Sequence, residues 1–407
     1  MPPITVVGIG EDGLDGLSPA ARALVDGAEV LVGGGRHLAK VPDHAAKRLD
    51  WSGGFGAGLD LIRARAGRRI VVLASGDPLY FGVGATLIRH FGAASVLVVP
   101  APGSVSLACA RLGWSIPDVA VVTIHGRPKE SLIPHLAPGV RVVALSQDGD
   151  SPAEVARLLT EAGFGPSAMA VLEHLGGAKE HRVDGVAGAW DAPRCADLNI
   201  IAIDCALAPG ARALTRRAGL PDDAFEHDGQ ITKREIRALT LSSLAPLPGQ
   251  TLWDLGAGSG SVAIEWMRAH RSNRAVAVER DADRAARIAR NAARLGVPGL
   301  EIETRDILDA LHRLDGAPDA VFVGGAVGWA GVLAGAWDRL VPGGRMAANA
   351  VTAEGAAALT DMHRNHGGEL IRIQLDRSVN KDNDMTVFES AHPLTHWTAQ
   401  KPAEGDA

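Results

Sequence analysis

Short β-branched and aliphatic runs alternate with Ala-, Leu- and Arg-rich stretches of helical period along nearly the whole 407-residue chain. Before Cys205 the apolar runs predict strands near 4–9, 28–33, 69–74, 95–99, 119–124, 140–145, 169–173 and 198–204, with helices between most of them. Ser18-Pro19 reads as an N-cap followed by proline at the first helical position. Ser151-Pro152-Ala153-Glu154 reads as a capping box opening another helix. The periodicity lapses after Cys205, where Pro209-Gly210 and Gly219-Leu220-Pro221-Asp222-Asp223 interrupt it. That break predicts a domain of residues 1–205, a linker of 206–222 and a second domain of 223–407.

In the second domain, Thr232-Lys233-Arg234-Glu235 predicts a capping box and a helix through about Leu244. Strands follow at 251–255, 275–279, 300–304, 318–323 and 344–350, with helices at 261–270, 281–295 and 329–340. Runs 369–376 and 384–390 predict an antiparallel hairpin at the sheet edge, and the tail after Trp397 is expected to fray. The whole pattern is α/β.

Composition narrows the function classes. Hydrophobic residues make up 46% and charged residues 22%, which excludes a mainly disordered chain. The net charge of −6 divides as −3 before and −3 after Cys205, so the footprint of a nucleic-acid binder is missing. Cys109, Cys195 and Cys205 form no C-x-x-C pair and no zinc-like array, so no metal site is expected. They fit buried thiols in a reducing cytoplasm. No signal peptide and no membrane-spanning run is read from the sequence.

The strongest local signal is Asp254-Leu255-Gly256-Ala257-Gly258-Ser259-Gly260, between a predicted strand and a predicted helix. Glycines there let the backbone turn tightly and approach a ligand closely. The next strand ends in Glu279, 19 residues beyond Gly260, where a carboxylate can accept both ribose hydroxyls. A bare glycine-rich turn, a nicotinamide dinucleotide site and an S-adenosylmethionine (SAM) site all share part of this pattern. An acid placed just before the first glycine resembles motif I of class I methyltransferases. That resemblance implies that Asp306, after the strand at 300–304, faces the adenine amine. Pro342-Gly343-Gly344-Arg345 resembles another recurring feature of those enzymes.

Gly8-Ile9-Gly10-Glu11-Asp12-Gly13 matches G-x-G-x-x-G, yet no helix is expected before Ser18 and the next strand ends in Gly33-Gly34-Gly35 without a ribose acid. A dinucleotide fold needs both. Val6-Val7-Gly8-Ile9-Gly10, Ser75-Gly76-Asp77-Pro78, Pro102-Gly103-Ser104 and His125-Gly126-Arg127-Pro128 resemble, in order, the loops of the tetrapyrrole (corrin/porphyrin) methylase family. The resemblance implies a two-lobed fold holding SAM in the cleft between its lobes. Gly8, Gly10, Gly76, Asp77, Pro78 and Ser104 are then its cofactor-binding residues.

The expected architecture is therefore an N-terminal two-lobed tetrapyrrole-methylase fold joined to a C-terminal Rossmann-like class I SAM-dependent methyltransferase fold. From Ile4 to about Ser390 the chain resembles the fused decarboxylating precorrin methyltransferases of aerobic cobalamin biosynthesis. Ile231-Thr232-Lys233-Arg234-Glu235, Phe322-Val323-Gly324-Gly325 and Ala348-Asn349-Ala350-Val351-Thr352 carry the match in the second half. This implies two SAM sites per chain, held in the second domain by Asp254, Gly256, Gly258, Gly260, Glu279 and Asp306. It implies methylation of carbon 5 by the first domain, and of carbon 15 with loss of the carbon-12 acetate carboxyl by the second. A polycarboxylate substrate calls for local donors. Lys233, Arg234 and Asn349, with His227, are the candidates in the second domain. His125 and Arg127, with Lys129, are the candidates in the first. A homo-oligomer is expected. A fusion acting on another acceptor, and a non-catalytic SAM-binding assembly protein, are the alternatives.

Overall fold

The structure, a computed structural model, describes residues 3–42, 44–51, 54–381 and 385–403. The chain divides into two compact units, Met1–Ala213 and Leu214–Ala407. Residues 206–222 do not form a free linker. Leu207 and Ala213 pack on a core of the first unit, whereas Leu214 and the fully buried Leu220 pack on one of the second.

The first unit has two lobes. One holds β1 (Ile4–Ile9), α1 (Pro19–Asp26), β2 (Val30–Gly33), α2 (Gly35–Ala39), β3 (Lys47–Asp50), α3 (Phe55–Arg63), β4 (Ile70–Ser75), α4 (Val83–Phe91) and β5 (Val96–Val99). Its sheet is parallel, in the order β3-β2-β4-β1-β5. Val6, Val32 and Val72 bury one face and Val7, Leu31 and Leu73 the other. Burial on both faces explains the continuous apolar runs in these strands. Ser18 caps α1 as expected, its Oγ accepting from Ala21 N at 3.2 Å.

The second lobe holds α5 (Ser104–Leu112), β6 (Val119–Thr123), β7 (Arg141–Leu145), α6 (Ser151–Glu161), β8 (Ala168–Glu173), β9 (His181–Val186) and β10 (Asn199–Asp204). The mixed sheet runs β6-β7-β10-β8-β9. β3 and β9 escape sequence reading because they are exposed, polar edge strands with no apolar alternation. The capping box expected at Ser151 is absent. Asp150 is the N-cap, and Ser151 Oγ instead accepts from Gln147 N and Asp148 N, at 3.2 Å each.

The second unit contains α7 (Arg234–Leu244), β11 (Thr251–Leu255), α8 (Ser261–Ala269), β12 (Arg274–Val278), α9 (Ala282–Arg294), β13 (Glu301–Glu303), α10 (Ile307–Arg313), β14 (Ala320–Val323), α11 (Val332–Arg339), β15 (Arg345–Ala350), α12 (Ala353–His366), β16 (Glu369–Ile373), β17 (Asp376–Lys381), β18 (Met385–Ser390) and β19 (Leu394–Gln400). The main sheet runs β13-β12-β11-β14-β15-β19-β16, with β19 antiparallel to both neighbours. The strand order reverses between β11 and β14, the switch point at which ligands of open α/β sheets bind.

Three expectations fail here. The box at Thr232 is shifted, since Lys233 is the N-cap of α7 and makes no side-chain cap. The hairpin of 369–376 with 384–390 does not form. β16 pairs with β19, while β17 and β18 make a separate two-stranded ribbon. The strand does not stop at Trp397 but runs on to Gln400, and residues 404–407 of the expected frayed tail lie outside the described residues. That indole is fully buried on β19, which lies between β15 and β16, its ring 5.8 Å from Trp337, and its Nε1 donates to Gly367 O at 2.9 Å. Burying a whole indole draws the last strand into the sheet interior. α12 is an unpredicted helix, because its Ala-rich sequence has few large apolar residues to mark a period.

Candidate functional site

In the first unit, the loops after β1, β4 and β5 meet at the carboxyl edge of the parallel sheet. Gly76 N donates to Ile9 O at 3.3 Å and Ala101 N to Gly76 O at 3.2 Å. The fit admits no side chain. A Cβ at Gly8 would lie 1.9 Å from Gly76 O, and one at Gly76, with φ +51°, would lie 2.6 Å from Gly103 Cα. The sequence-predicted Gly8, Gly76, Asp77 and Pro78 thus converge beside the Gly103-Ser104 turn, where Ser104 begins α5. Gly10 lies against Asp12 Oδ1. The Asp77 carboxylate caps its own turn, accepting from Leu79 N at 2.9 Å, and Pro78 O accepts from Gly84 N at 2.8 Å. The result is three loops closed on one another through their backbones at the carboxyl edge of the sheet.

His125 and Arg127 follow β6 in the other lobe and are exposed. Gly126 N between them donates to Gln147 Oε1 at 2.6 Å, fixing their loop to the end of β7. Lys129 pairs with Glu154 at 3.1 Å.

In the second unit the glycine-rich loop follows β11 at the switch point. Gly256, Gly258 and Gly260 all adopt left-handed φ, so the loop coils back under its own strand. Gly256 N and Ala257 N both donate to Val278 O at the end of β12, at 2.9 and 3.0 Å. Glu279 is buried beside them, its Oε2 accepting from Gly258 N at 2.9 Å and its Oε1 from Asp281 N at 3.0 Å. Asp254 is also buried, and its Oδ2 accepts from Ala263 N at 3.1 Å, tying the first turn of α8 to β11.

Burial above all pushes the Asp254 carboxyl up to about 7; the Ala263 hydrogen bond opposes that rise and the Glu279 charge adds to it. Asp254 Oδ1 and Ser259 Oγ are buried without a hydrogen-bond partner. Two orphaned polar atoms beside a glycine-rich loop and the buried Glu279 carboxylate fit a ligand that brings hydrogen-bonding groups of its own. Asp306 is the N-cap of α10, accepting from Leu308 N at 2.9 Å, and the adjoining Ile307 Cδ1 lies 3.6 Å from where a Gly256 Cβ would sit.

The predicted substrate donors of this unit are scattered. Lys233 and Arg234 are exposed at the start of α7, three and four residues beyond Gln230, whose carbonyl faces Gly258. His227 is exposed, and its Nδ1 accepts from Gly229 N at 3.1 Å. Asn349 is buried. Its Nδ2 donates to Thr240 Oγ1 at 2.9 Å, and its Oδ1 lies 2.7 Å from His396 Nδ1. That amide is engaged inside the fold.

Sequence reading missed two polar groups. One is the buried pair of Arg237 and Glu265, invisible because helical charges read by default as surface. The other gathers Glu11, Arg36, His37, Lys40 and Ser75 beside the first cradle. Its signal in the chain is Gly33-Gly34-Gly35-Arg36-His37, where two basic side chains follow a glycine run. Among the described residues no cluster of His, Cys, Asp and Glu has metal-binding geometry, and no helix is long and apolar enough to cross a membrane.

Comparison with known proteins follows the same division. Residues 3–190 match the Tetrapyrrole (Corrin/Porphyrin) Methylases and residues 223–401 the Precorrin methyltransferase domain. A Sinorhizobium precorrin-6Y C(5,15)-methyltransferase [decarboxylating] is 46% identical over 98% of this chain and 97% of its own length. The Mycobacterium tuberculosis (strain H37Rv) protein of the same name is 42% identical over 98% of this chain and its full length. A Salmonella typhimurium cobalt-precorrin-7 C(5)-methyltransferase is 39% identical over 42% of this chain and 85% of its own length. Both halves and the full length agree, and the chain belongs to the family of decarboxylating precorrin-6Y C(5,15)-methyltransferases.

Proposed function

We propose that this chain methylates precorrin-6Y, in its reduced form, at carbons 5 and 15, and removes the carboxyl group of its carbon-12 acetate. The observation that carries this reading is the presence of two cradles, each sealed against a Cβ or lined by left-handed glycines, in a chain aligned end to end with relatives of that name. SAM supplies an electrophilic methyl group at each site. The chain's own task is to bind, orient and exclude water, because the electron-rich carbon belongs to the macrocycle.

In the second unit, Glu279 holds ribose hydroxyls, Asp306 faces the adenine amine, and the Gly256–Gly260 backbone admits the methionine part. The buried Asp254 orients the loop and offers Oδ1 to an ammonium donor. In the first unit Gly8, Gly10, Gly76, Asp77, Pro78 and Ser104 form the second site. We assign carbon-5 methylation to the first unit and carbon-15 methylation with decarboxylation to the second. A relative named as a C(5)-methyltransferase, aligned over 42% of this chain, supports such a division. Lys233, Arg234 and His227 in one unit, and His125, Arg127 and Lys129 in the other, are the proposed partners of substrate carboxylates. Asn349 acts through position, holding α7 to β15. We further infer a cytoplasmic homo-oligomer without resident metal and without nucleic-acid or membrane partners; three buried, unpaired thiols support the reducing compartment.

The test is incubation with reduced precorrin-6 and SAM, read by mass spectrometry. Two methyl additions and the loss of one carbon dioxide are expected. A product methylated but not decarboxylated, or no product at all, overturns the assignment. Calorimetry is expected to count two SAM sites per chain.

A further inference from the structure

Beside the first cradle, outside every residue assigned to the cofactor, cationic side chains gather around Ser75 and Glu11. Arg36 Nη2 donates to Ser75 Oγ at 2.9 Å, and its Nη1 donates to Glu11 Oε1 at 3.1 Å. Lys40 Nζ donates to the same Glu11 oxygen and to Gly10 O, the latter at 2.6 Å. His37 Nε2 lies 2.8 Å from Ser75 Oγ, and His174 of the other lobe lies 3.8 Å from Glu11 Oε2. The group therefore sits where the two lobes of the first unit meet. Ser75 immediately precedes Gly76-Asp77-Pro78, and Gly10 belongs to the β1 loop, so it also adjoins the cofactor cradle.

Two properties set this group apart from a surface ion pair. First, its charge does not cancel, since Arg36 and Lys40 face one Glu11. His37 registers the excess. Burial, then Arg36 and then Lys40 hold its ring down to about 4 against the opposing pull of Glu11, so it is neutral at pH 7. Second, the arrangement is graded in exposure. Lys40 is 12% exposed and anchors Glu11, whereas Arg36 is 43% exposed. A guanidinium carries five N–H donors, and these two contacts engage one on each terminal nitrogen. Four residues past Ser75, Leu79, Tyr80 and Phe81 expose apolar surface on the same loop. Exposed apolar side chains on the loop that Ser75 opens, and a part-exposed guanidinium bonded to Ser75, suit a macrocycle whose acidic side chains radiate from its rim.

We infer that Arg36, braced by Glu11 and Ser75, binds one acetate or propionate carboxylate of the tetrapyrrole and so positions the macrocycle for methylation in the first unit. This rests on the function proposed above. Glu11 and Ser75 are positioning residues, fixing the guanidinium so that little rotamer freedom is lost when the carboxylate arrives.

The test uses the full chain with reduced precorrin-6 and SAM, following carbon-5 methylation beside carbon-15 methylation and decarboxylation as internal controls. Arg36→Ala, and Arg36→Gln, which keeps neutral donors, are expected to raise KM for the carbon-5 step about tenfold or more while kcat changes little. Arg36→Lys is expected to recover part of the loss. SAM titration of both sites and the second unit's reactions are expected to stay at wild-type values. An unchanged carbon-5 KM in Arg36→Ala overturns the inference. So does loss of SAM binding in the first unit in both variants, which would make Arg36 a brace for the cofactor loops. If wild-type protein itself forms no carbon-5 product, the proposed function fails first, and this inference falls with it.

Discussion

Arg237 and Glu265 form an ion pair sealed from solvent, Nε to Oε1 at 2.6 Å, in the interior of the second unit. The same carboxylate accepts from Gly219 N at 2.6 Å and Leu220 N at 3.0 Å, and Arg237 also reaches Asp222 and the carbonyls of Leu220 and Thr232. One pair thus fastens residues 219–222 and α7 to α8, the helix that opens from the glycine-rich loop.

Breaking a buried pair on one side leaves an uncompensated charge. Arg237→Ala and Glu265→Gln are each expected to cost about 3–5 kcal/mol in the second unit. Chemical denaturation followed by tryptophan fluorescence checks this, since Trp253, Trp266 and Trp397 are buried there. A loss below about 1 kcal/mol, the value of an exposed pair, would contradict the sealed geometry.

Gly76→Ala is expected to stop carbon-5 methylation and leave the second unit's reactions intact. The added Cβ meets backbone at 2.6 Å in a left-handed conformation, and neither obstacle can rotate away. Mass spectrometry should show a singly methylated, decarboxylated product accumulating. Full double methylation by this variant would mean that the cradle is not the first unit's cofactor site.

Glu279→Ala removes the acceptor of Gly258 N and the proposed ribose contact together. Calorimetry is expected to fall from two SAM sites to one. Carbon-15 methylation and decarboxylation should be lost while the first unit keeps its site.

Asp254 makes stability depend on pH in an unusual direction. Its folded value of about 7 lies above the ordinary 3.8, so the folded state keeps a proton that the unfolded chain has released. Its contribution is full below pH 4 and declines as pH rises toward 7. His37 and His396, both held near 4 by burial, act oppositely, and their stabilisation is lost as pH falls from 6.5 toward 4. The Asp254 share is therefore read by difference. Asp254→Asn should remove a component that weakens the wild-type protein between pH 4 and 7, measured by melting temperature across that range. Parallel melting curves for the two proteins would refute the raised value.

Asn349→Ala leaves the buried His396 Nδ1 without its partner, while Thr240 Oγ1 keeps Ile236 O and His396 Nε2 keeps Ser243 Oγ. An unsatisfied buried polar group costs about 1–3 kcal/mol. Destabilisation of that size, with KM for the substrate unchanged, is expected from an amide engaged inside the fold; a raised KM at unchanged stability would restore Asn349 as a substrate donor.

Much of the architecture was legible in the chain. Strands buried on both faces, such as β4 and β14, are written as apolar runs, and the glycine loops announce themselves because no other residue fits their backbone. The Ser18 cap is local and was readable for the same reason. The edges were not: β3 and β9 expose most of their side chains, so no period marks them.

By itself, then, the sequence determined the α/β alternation, the glycine-rich turns and the acid just beyond β12, since each is written in a short local run of chain. Tertiary structure alone decided that Trp397 draws β19 between β15 and β16, that Asn349 faces His396 rather than solvent, and that Arg36, Lys40 and Glu11 surround Ser75. The hydrogen bonds among them join residues from 25 apart, Glu11 and Arg36, to 47 apart, Asn349 and His396. Long-range pairing is settled by which burial and charge neutralisation the folded chain can satisfy at once, and no local pattern encodes that balance.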